Sequence, residues 1–380
     1  MMAKLGDVFN LQMGKTPVRA NAAYWTNGTN AWVSIADLSS YEKYVGDTKE
    51  QITDLAVQES GIKVVPADTI IMSFKLSLGK TAITKVPIYT NEAIMAFLPT
   101  GKYDVCPDYF FHRFSDRDWS EGTNRAVMGA TLNKATLSNM EIVIPPLDEQ
   151  RRIATVLDKV SGLIAKRREQ LDKLDELVKA RFVEMFGDPS ANSQWPTLKL
   201  SQLGELNRGI SKHRPRNDPD LLGGPYPLIQ TGDVSNSGLY ILDYSSTYSE
   251  LGLAQSKLWK AGTLCITIAA NIAQTAILTF DACFPDSVVG FLPGEKTNAV
   301  FVHYWFSFFQ KILEEQAPQV AQKNINLKIL SDLNVIVPPD NLQSDFSTFV
   351  GRVEKSKLTI QQSLDKLEVL KKALMQQYFG

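Results

Sequence analysis

The sequence predicts a mixed α/β protein with two globular domains, each followed by a long helix. The two helices are expected to pair as an antiparallel coiled coil about a pseudo-two-fold axis. Three observations lead to this fold class. Two long stretches of the chain repeat each other, both have the apolar spacing of a coiled coil, and the segments before them are rich in short β-type runs.

The internal repeat is the first observation. Pro145-Pro146 and Pro338-Pro339 open the two copies, which sets an offset of 338 − 145 = 193 residues. At this offset residues 171–174 (LDKL) align with residues 364–367 (LDKL), and no gap is needed up to the last residue. Such a period is too long for a solenoid, so it indicates a duplicated unit of one domain and one helix.

Each copy carries apolar residues at alternating steps of three and four, which is the seam of a coiled coil. We expect the Pro-Pro pair to mark the start of each helix, and Gly187 with Pro189 to end the first one. The residues predicted at the interface of the helix pair are Leu157, Val160, Ile164, Leu171, Leu174, Val178, Val353, Ile360, Leu364, Leu367 and Leu374.

Charged residues interrupt the two seams at different steps. The first copy has Arg167 and Arg181, whereas the second has Lys357 and Lys371. Unlike seams favour pairing of the two helices with each other, because polar seam residues fix register and partner. The alternative is two separate amphipathic helices that each cover their own domain. Roughly 35 residues span about 50 Å, however, which is longer than such a cover needs.

The predicted boundaries are residues 1–145 for the first globular domain, 146–188 for the central helix, 189–338 for the second globular domain and 339–380 for the C-terminal helix. In the first domain β-type runs occupy residues 32–35, 69–73, 82–84 and 93–98, with Gly, Pro, Asn and Asp between them, and a short helix is expected from Pro107 to Phe114. The second domain repeats this plan, since residues 81–83 match 275–277 and residues 97–99 match 291–293.

The composition is that of an ordinary globular protein. The 380 residues include 44% hydrophobic and 21% charged residues, with a formal net charge of −1. The near-neutral total weighs only mildly against nucleic-acid binding, because a binding surface depends on local charge. Three widely spaced cysteines suit a reducing compartment, and no signal peptide or membrane span is expected, so the prediction is a cytoplasmic protein. The most apolar window, residues 264–280, is read as buried strands.

The sequence carries no recognisable catalytic motif. His112, His213 and His303 have no cysteine or carboxylate at metal-ligand spacing and are interpreted as surface or structural histidines, and no metal site is predicted. The sequence has no Gly-rich phosphate loop, and neither Pro-Pro pair has the flanking residues with which amino-methyltransferases hold a flipped adenine. These negative results favour a binding protein, with no catalytic residue and no cofactor of its own.

Basic and amide side chains in the loops are the positive signal, because they neutralise phosphates and pair with base edges. The two domains carry unlike loops at equivalent places, after Gly14 in the first and after Gly209 in the second. The predicted DNA-binding residues are Lys15, Thr16, Arg19, Lys75, Lys80, Arg125, Asn133, Lys134, Lys212, His213, Arg214, Arg216, Asn271, Gln322, Lys323 and Asn324.

Each of these residues also has a structural interpretation. The basic loops are equally compatible with solvated surface, and Lys75 and Lys80 with exposed strand ends. Asn133 and Asn326 are suited to capping the helix or turn that follows them. Arg167 and Arg181 are expected to pair with acidic groups of the helices and not with DNA.

Several of these features together resemble one known family, the specificity subunits of type I restriction-modification systems. The resemblance is carried by residues 144–153 (IPPLDEQRRI), by residues 14–17 (GKTP) with Arg19, by residues 32–35 (WVSI) with Asp37-Leu38, and by the helix end at residues 185–188 (MFGD). It covers essentially the whole chain. The second half departs from the pattern, since residues 338–343 (PPDNLQ) lack the Glu and residues 208–211 (RGIS) lack the Thr-Pro.

The resemblance implies that each globular domain is a target-recognition domain that reads one half of a bipartite double-stranded DNA target, while the helices set the spacer. It further implies two DNA-methyltransferase (modification) subunits docked on the helices, and restriction subunits. S-adenosylmethionine, ATP and Mg are then expected on those partners and not on this chain. Two other classes remain open at this point: a self-contained DNA-modifying enzyme with degenerate motifs, and a coiled-coil scaffold that binds only protein.

Overall fold

A computed structural model describes residues 1–75, 77–119, 124–126, 129–188, 194–213, 215–269, 272–309, 312 and 325–380, without the side chains of 124–126 and 129–131. It divides into two compact units. Unit 1 contains residues 1–167 and 363–380, and unit 2 contains residues 168–362. Each unit therefore combines one globular domain with a part of both long helices.

The globular part of unit 1 combines short strands with short helices. Its helices are α1 (Leu5–Val8), α2 (Ile35–Ser40), α3 (Asp54–Ser60), α4 (Pro107–Asp116) and α5 (Lys134–Asn139). Its strands are β1 (Met2–Lys4), β2 (Phe9–Met13), β3 (Asn30–Val33), β4 (Glu50–Ile52), β5 (Ile70–Ser73), β6 (Thr81–Ile83), β7 (Tyr89–Thr90), β8 (Ile94–Pro99), β9 (Asn124–Ala126), β10 (Gly129–Thr131) and β11 (Glu141–Val143).

The central sheet of unit 1 is antiparallel in the order β2-β8-β5-β6, and a second sheet has the order β4-β3-β7. Strand β1 pairs with β11 at the entry to the long helix. Residues 32–35 were predicted as one β-type run, but the strand ends at Val33. Ser34 instead caps α2 in a reciprocal capping box with Asp37, because a Ser with an acidic residue three positions later satisfies the first helical N–H groups.

The second globular domain repeats this plan. Its helices are α7 (Leu200–Leu203), α8 (Thr231–Asn236), α9 (Glu250–Ala254), α10 (Ala299–Phe306) and α11 (Leu327–Asp332). Its strands are β12 (Thr197–Lys199), β13 (Gly204–Arg208), β14 (Leu222–Leu228), β15 (Tyr240–Ile241), β16 (Ser246–Tyr248), β17 (Leu258–Trp259), β18 (Leu264–Thr267), β19 (Thr275–Leu278), β20 (Ala282–Cys283), β21 (Val288–Pro293) and β22 (Asn334–Ile336).

The strand orders show the duplication directly. The main sheet of unit 2 is β13-β21-β18-β19-β15, and its first four strands follow the same order and directions as β2-β8-β5-β6 in unit 1. Strand β12 pairs with β22 as β1 pairs with β11. The apolar window at residues 264–280 forms the buried hairpin of β18 and β19, so that prediction is confirmed.

The two long helices are α6 (Leu147–Phe186) and α12 (Asp340–Phe379), each of 40 residues. Both start directly after a Pro-Pro pair, as predicted from the sequence. The first helix ends at Gly187, whose φ of 82° is the left-handed conformation typical of a helix C-cap.

The helices pack against each other in opposite directions, which confirms the predicted antiparallel pairing. In unit 1 Ile153 and Leu157, near the start of α6, share a core with Met375 and Phe379, near the end of α12. In unit 2 Phe182, near the end of α6, contacts Phe346, near the start of α12, with ring centroids 5.4 Å apart. Among the described helices, none is long and apolar enough to span a bilayer.

Candidate nucleic-acid interface

In both domains the basic loop leaves the sheet at a corner that only glycine fits. Gly14 follows β2, and its N–H donates to Ile94 O at 3.1 Å. Gly209 follows β13, and its N–H donates to Val288 O at 2.8 Å. A Cβ atom at Gly14 would overlap the carbonyl oxygen of Thr90, and one at Gly209 would overlap that of Pro285. The two loops therefore start from the same point of the same scaffold.

In the first domain the loop is held by its own polar contacts. The Lys15 ammonium donates to the Ser60 carbonyl, and the Thr16 hydroxyl donates to Glu92. Trp32 Nε1 donates to Lys15 O at 3.1 Å and ties the loop to β3. Lys15 is exposed and Thr16 is half-buried. The structure thus places both residues at the corner, and their contact with DNA stays a prediction.

Arg19 is held by two different interactions. Its guanidinium forms a two-pronged ion pair with Glu50, in which Nη2 lies 2.9 Å from Oε2. The guanidinium carbon also lies 4.0 Å from the ring centroid of Trp25 and 4.8 Å from that of Trp32. Stacking on two indoles orients the cation while half of its surface stays open to solvent. An oriented and exposed guanidinium can pair with a phosphate or with a guanine edge.

The remaining candidates of the first domain lie at two other places. Lys75 and Lys80 stand at the turn between β5 and β6, and Lys75 Nζ lies 5.2 Å from the Phe74 ring centroid. Asn133 caps α5, since its Oδ1 accepts the Thr136 N–H at 2.8 Å, and the exposed Lys134 follows it. The side chain of Arg125, in β9, lies outside the described residues.

The second domain has a basic loop of different structure at the same corner. The Gln255 side chain accepts the backbone N–H groups of Lys212 and His213 at 2.6 and 3.0 Å. His213 Nε2 lies 2.9 Å from an oxygen of Asp218. The pKa of Asp218 is lowered, because the Asp220 N–H and then His213 hydrogen-bond its carboxylate. These contacts shape the loop and leave both Lys212 and His213 exposed.

Arg216 extends the basic surface of this loop. Its guanidinium is paired with Asp286 and remains exposed. Arg214, Asn271, Gln322, Lys323 and Asn324, which were also predicted to bind DNA, lie outside the described residues. Of the sixteen predicted DNA-binding residues, the structure therefore brings Lys15, Thr16 and Arg19 together in one domain, and Lys212, His213 and Arg216 in the other.

None of the residues predicted at the helix interface is exposed. Six of them are buried and the others are half-buried. The buried ones are Leu157, Val160, Ile164, Val178, Val353 and Leu364, and the half-buried ones are Leu171, Leu174, Ile360, Leu367 and Leu374.

Polar seam residues are paired within unit 2. The Lys357 ammonium lies 2.7 Å from Asp175 of the other helix and 2.9 Å from Glu354. Burial lowers the pKa of Lys357, but its hydrogen bonds to Asp175 and Glu354 outweigh this and raise it. Arg181 pairs with Glu184 at 2.8 Å, as expected from the sequence.

Sequence reasoning missed the residue that attaches each helix to its domain. Gln150 and Gln343 are fully buried and separated by 343 − 150 = 193 residues, the offset of the repeat. Gln150 Nε2 donates to Asp104 O at 3.0 Å and Pro145 O at 2.9 Å, and its Oε1 accepts the Cys106 N–H at 2.9 Å. The signal was present, because this glutamine occurs at the same place in both copies.

Gln343 repeats this arrangement in unit 2. It donates to Lys296 O at 3.1 Å and Pro338 O at 2.9 Å, and it accepts from the Thr297 hydroxyl at 3.0 Å. In each unit the glutamine donates to two backbone carbonyls and accepts one hydrogen bond, and these three bonds set the first turn of the helix on its globular domain.

A charged network also joins the first domain to α6. Lys43 Nζ lies 2.6 Å from both Asp108 and Asp158, and His112 Nε2 lies 2.8 Å from Asp158. Burial lowers the pKa of Lys43, but the two carboxylates outweigh this and raise it. Burial likewise raises the pKa of Asp158, and its hydrogen bonds to His112 and Lys43 outweigh this and lower it. His112 is thus a structural residue, as the sequence indicated.

Among the residues that the structure describes, no group of three or more His, Cys, Asp or Glu side chains is placed to hold a metal ion. Two copies of one scaffold that present unlike basic loops, together with a pair of long helices, have the organisation expected of a subunit that recognises DNA.

Comparison with known families gives the assignment. The model of the type I restriction modification DNA specificity domain matches residues 1–175 and 192–370, so the chain belongs to this family. It is the DNA-recognition subunit of a type I restriction-modification complex, and it is non-catalytic because this family supplies specificity. Its partners are accordingly DNA and the modification and restriction subunits.

Relatives and solved structures agree with this assignment. The chain is 31% identical over 399 residues to the type I restriction enzyme MjaIX specificity subunit of Methanocaldococcus jannaschii. This alignment covers 98% of this chain and 90% of that protein. It is 29% identical over 182 residues to the EcoR124I/EcoR124II specificity subunit of Escherichia coli, covering 46% and 44% of the two chains.

Two structures share the fold. One is a chain from work on complex assembly and conformational transition of the type I R-M system, with a TM-score of 0.60 and 16% identity over 100% of this chain and 97% of that one. The other is the S subunit of a type I system from M. genitalium, with a TM-score of 0.57 and 14% identity over 99% and 94%.

Proposed function

We propose that the two globular domains each read one half of a bipartite double-stranded DNA target. The observation that carries this proposal is the duplicated corner. The two loops begin at equivalent positions, Gly14 and Gly209. The first loop exposes Lys15 and Arg19, and the second exposes Lys212 and Arg216. The same docking surface with different polar groups is what two different half-sites require.

The helix pair is proposed to set the spacer between the half-sites. A helix of 40 residues is about 60 Å long at about 1.5 Å per residue. Half-sites on one face of a duplex lie about 34 Å apart for each helical turn between them. Helices of this length therefore suffice to hold two readers on one face of the DNA.

The outer faces of the helices are proposed to dock two modification subunits. Leu177 and Leu370 are separated by the repeat offset, 370 − 177 = 193, and are exposed to 47% and 45%. Leu163 is also exposed on α6, and Val369 on α12. An apolar residue that recurs at an equivalent exposed position suits one copy of the same partner at each helix.

The reactions themselves are assigned to the partners. We expect S-adenosylmethionine on the modification subunits, and ATP and Mg on the restriction subunits, with no cofactor on this chain. A cytoplasmic location accords with a DNA target and with the three cysteines, all of which are free thiols.

Methylome sequencing of a host that carries this chain with its modification subunit tests the bipartite target. We expect a motif of two short specific segments separated by a fixed unspecified spacer. A continuous motif without a spacer would refute the proposal.

Loop variants test which domain reads which half. Lys15→Ala with Arg19→Ala is expected to relax or abolish one half-site, and Lys212→Ala with Arg216→Ala the other. Each phosphate contact that is lost reduces the steepness of the fall of log affinity with log salt by about 0.9. If both double variants affected the same half-site, the assignment of one loop to each half would be wrong.

A further inference from the structure

The second domain has a cavity of about 270 Å³ at its corner, beside the basic loop. Polar groups from four segments line this cavity: the basic loop, the turn after β14, strand β16 and the turn before β21. The polar side chains are Ser211, Arg216, Asn217, Gln230, Thr231, Ser246 and Ser287.

Gln230 occupies a position that the two domains build in the same way. In the first domain the Ser34 N–H donates to Asp37 at 3.0 Å, and in the second the Gln230 N–H donates to Asp233 at 2.7 Å. Both pairs are separated by the same offset, 230 − 34 = 196 and 233 − 37 = 196. The backbone at this position is therefore set by the scaffold, and the side chain is free to differ.

The two side chains do different things. Ser34 uses its hydroxyl within its own turn, where it lies 2.7 Å from an oxygen of Asp37. Gln230 instead extends a carboxamide along the wall of the cavity, and its Nε2 lies 3.5 Å from the Ser246 hydroxyl. That distance is at the outer limit of a hydrogen bond, so a ligand can replace it at little cost.

The cavity suits the edge of one base better than a whole small molecule. Its volume is below the range of about 300–1,000 Å³ that is usual for drug-sized ligands. Leu222, Leu228, Tyr248 and Pro285 form the apolar part of its lining. Arg216, paired with Asp286, supplies a cation that can meet the adjacent phosphate.

We propose that Gln230 determines one base of the second half-site by pairing its carboxamide with the edge of an adenine at this cavity. A carboxamide offers a donor and an acceptor side by side, and adenine offers N7 as acceptor and N6 as donor in the major groove. The inference rests on the proposed function of the second domain as a reader of one half-site, and it names the residue that reads.

The test compares the wild-type complex of this chain and its modification subunit with complexes that carry Gln230→Ala or Gln230→Glu. Binding is measured on duplexes with each of the four bases at every specific position of the wild-type motif. For Q230A we expect a roughly tenfold to hundredfold loss of discrimination at one A·T position of one half-site, the usual value of a bidentate base contact. For Q230E we expect the preference at that position to shift toward cytosine, whose N4 group is a donor.

Gln58→Ala is the matched control, because Gln58 is an exposed glutamine of the first domain. It should leave discrimination at every position unchanged. An equal loss of affinity for all four bases in Q230A would overturn the inference, since it would show a role in folding or docking only. A half-site without any A·T pair, or unchanged discrimination in both variants, would overturn it too.

These results are distinguishable from failure of the proposed function. If the wild-type complex recognises a bipartite motif and Q230E changes nothing, the domain reads a half-site but Gln230 does not. If the wild-type motif itself is continuous, the proposed function fails first, and the inference fails with it.

Discussion

Replacing Gln150 with leucine should detach the start of α6 from the first domain. Leucine has a similar size, so the change removes hydrogen bonds without opening a large cavity. Three partly buried backbone groups lose their partner: the carbonyl oxygens of Asp104 and Pro145 and the N–H of Cys106. An unsatisfied buried polar group costs about 1–3 kcal/mol, and the first turn can relax in part. Because the three groups are only partly buried, water can replace some of the lost bonds, and we expect a loss of about 2–3 kcal/mol in the free energy of unfolding of unit 1.

The assay is urea denaturation followed by hydrogen exchange and mass spectrometry, because a chain of two units need not unfold in one step. Peptides that cover residues 104–106 and 145–150 should lose protection at lower urea, while peptides of unit 2 should not change. Gln362→Leu is the matched control, since Gln362 is exposed on a long helix. A Q150L variant within about 0.5 kcal/mol of wild type would refute the reasoning, because changes of that size are usual at the surface.

The remaining predictions concern the charged network, the helices and the corner. Asp158→Asn should lower the melting temperature at neutral pH, since it breaks the ion pair with Lys43. The pKa of Asp158 is lowered from 3.8 in the folded protein. The stability that this carboxylate contributes is therefore present above pH 3.8 and is lost as the pH falls through the pKa of the folded state. Gly351→Ala should stabilise unit 2 by about 0.5–1 kcal/mol in urea, because this exposed helical glycine has open space around it. Gly209→Ala should abolish discrimination of one half-site in binding assays while α12 keeps its helicity, because a Cβ would overlap the Pro285 carbonyl.

Each of these three predictions can be contradicted by a specific result. Asp172→Asn, at an exposed position of α6, should show no such pH dependence, and a pH-independent difference for D158N would count against the network. Loss of stability in Gly351→Ala would contradict the open space around this glycine. If Gly209→Ala bound both half-sites normally, the corner would not position the loop.

The pairing of the two helices could be predicted because it follows from local spacing. Apolar residues every three and four positions make one face of a helix apolar, whatever packs against it. The two unlike seams then indicated the partner, and Lys357 is indeed paired across the helices with Asp175. Which domain receives which helix end could not be predicted from this pattern. Phe379 packs beside Tyr109 of the first domain, at 5.5 Å between ring centroids, although it is the last turn of α12.

The binding loops show the opposite case. Their basic composition is visible in the sequence, but composition does not say where a side chain points or what holds it. Arg19 stacks on Trp25 and pairs with Glu50, which lies 31 residues further along the chain. Residues distant in sequence also build the Gln230 cavity, to which β14, β16 and the basic loop all contribute. Sequence periodicity does not predict such long-range contacts, because they depend on how the strands are ordered in the sheet.

The chain's own residues thus determined the duplication, the helical seams and the difference between the two sets of loops. These features are periodic or compositional, and they come from interactions between near neighbours along the chain. Only the tertiary structure showed that Gln150 and Gln343 hydrogen-bond the start of each long helix to its domain. It also showed that Asp158 contacts both Lys43 and His112, and that Gln230 lines a cavity. The physical reason is that a buried polar group is satisfied by partners brought close by the fold, and those partners can lie anywhere in the chain.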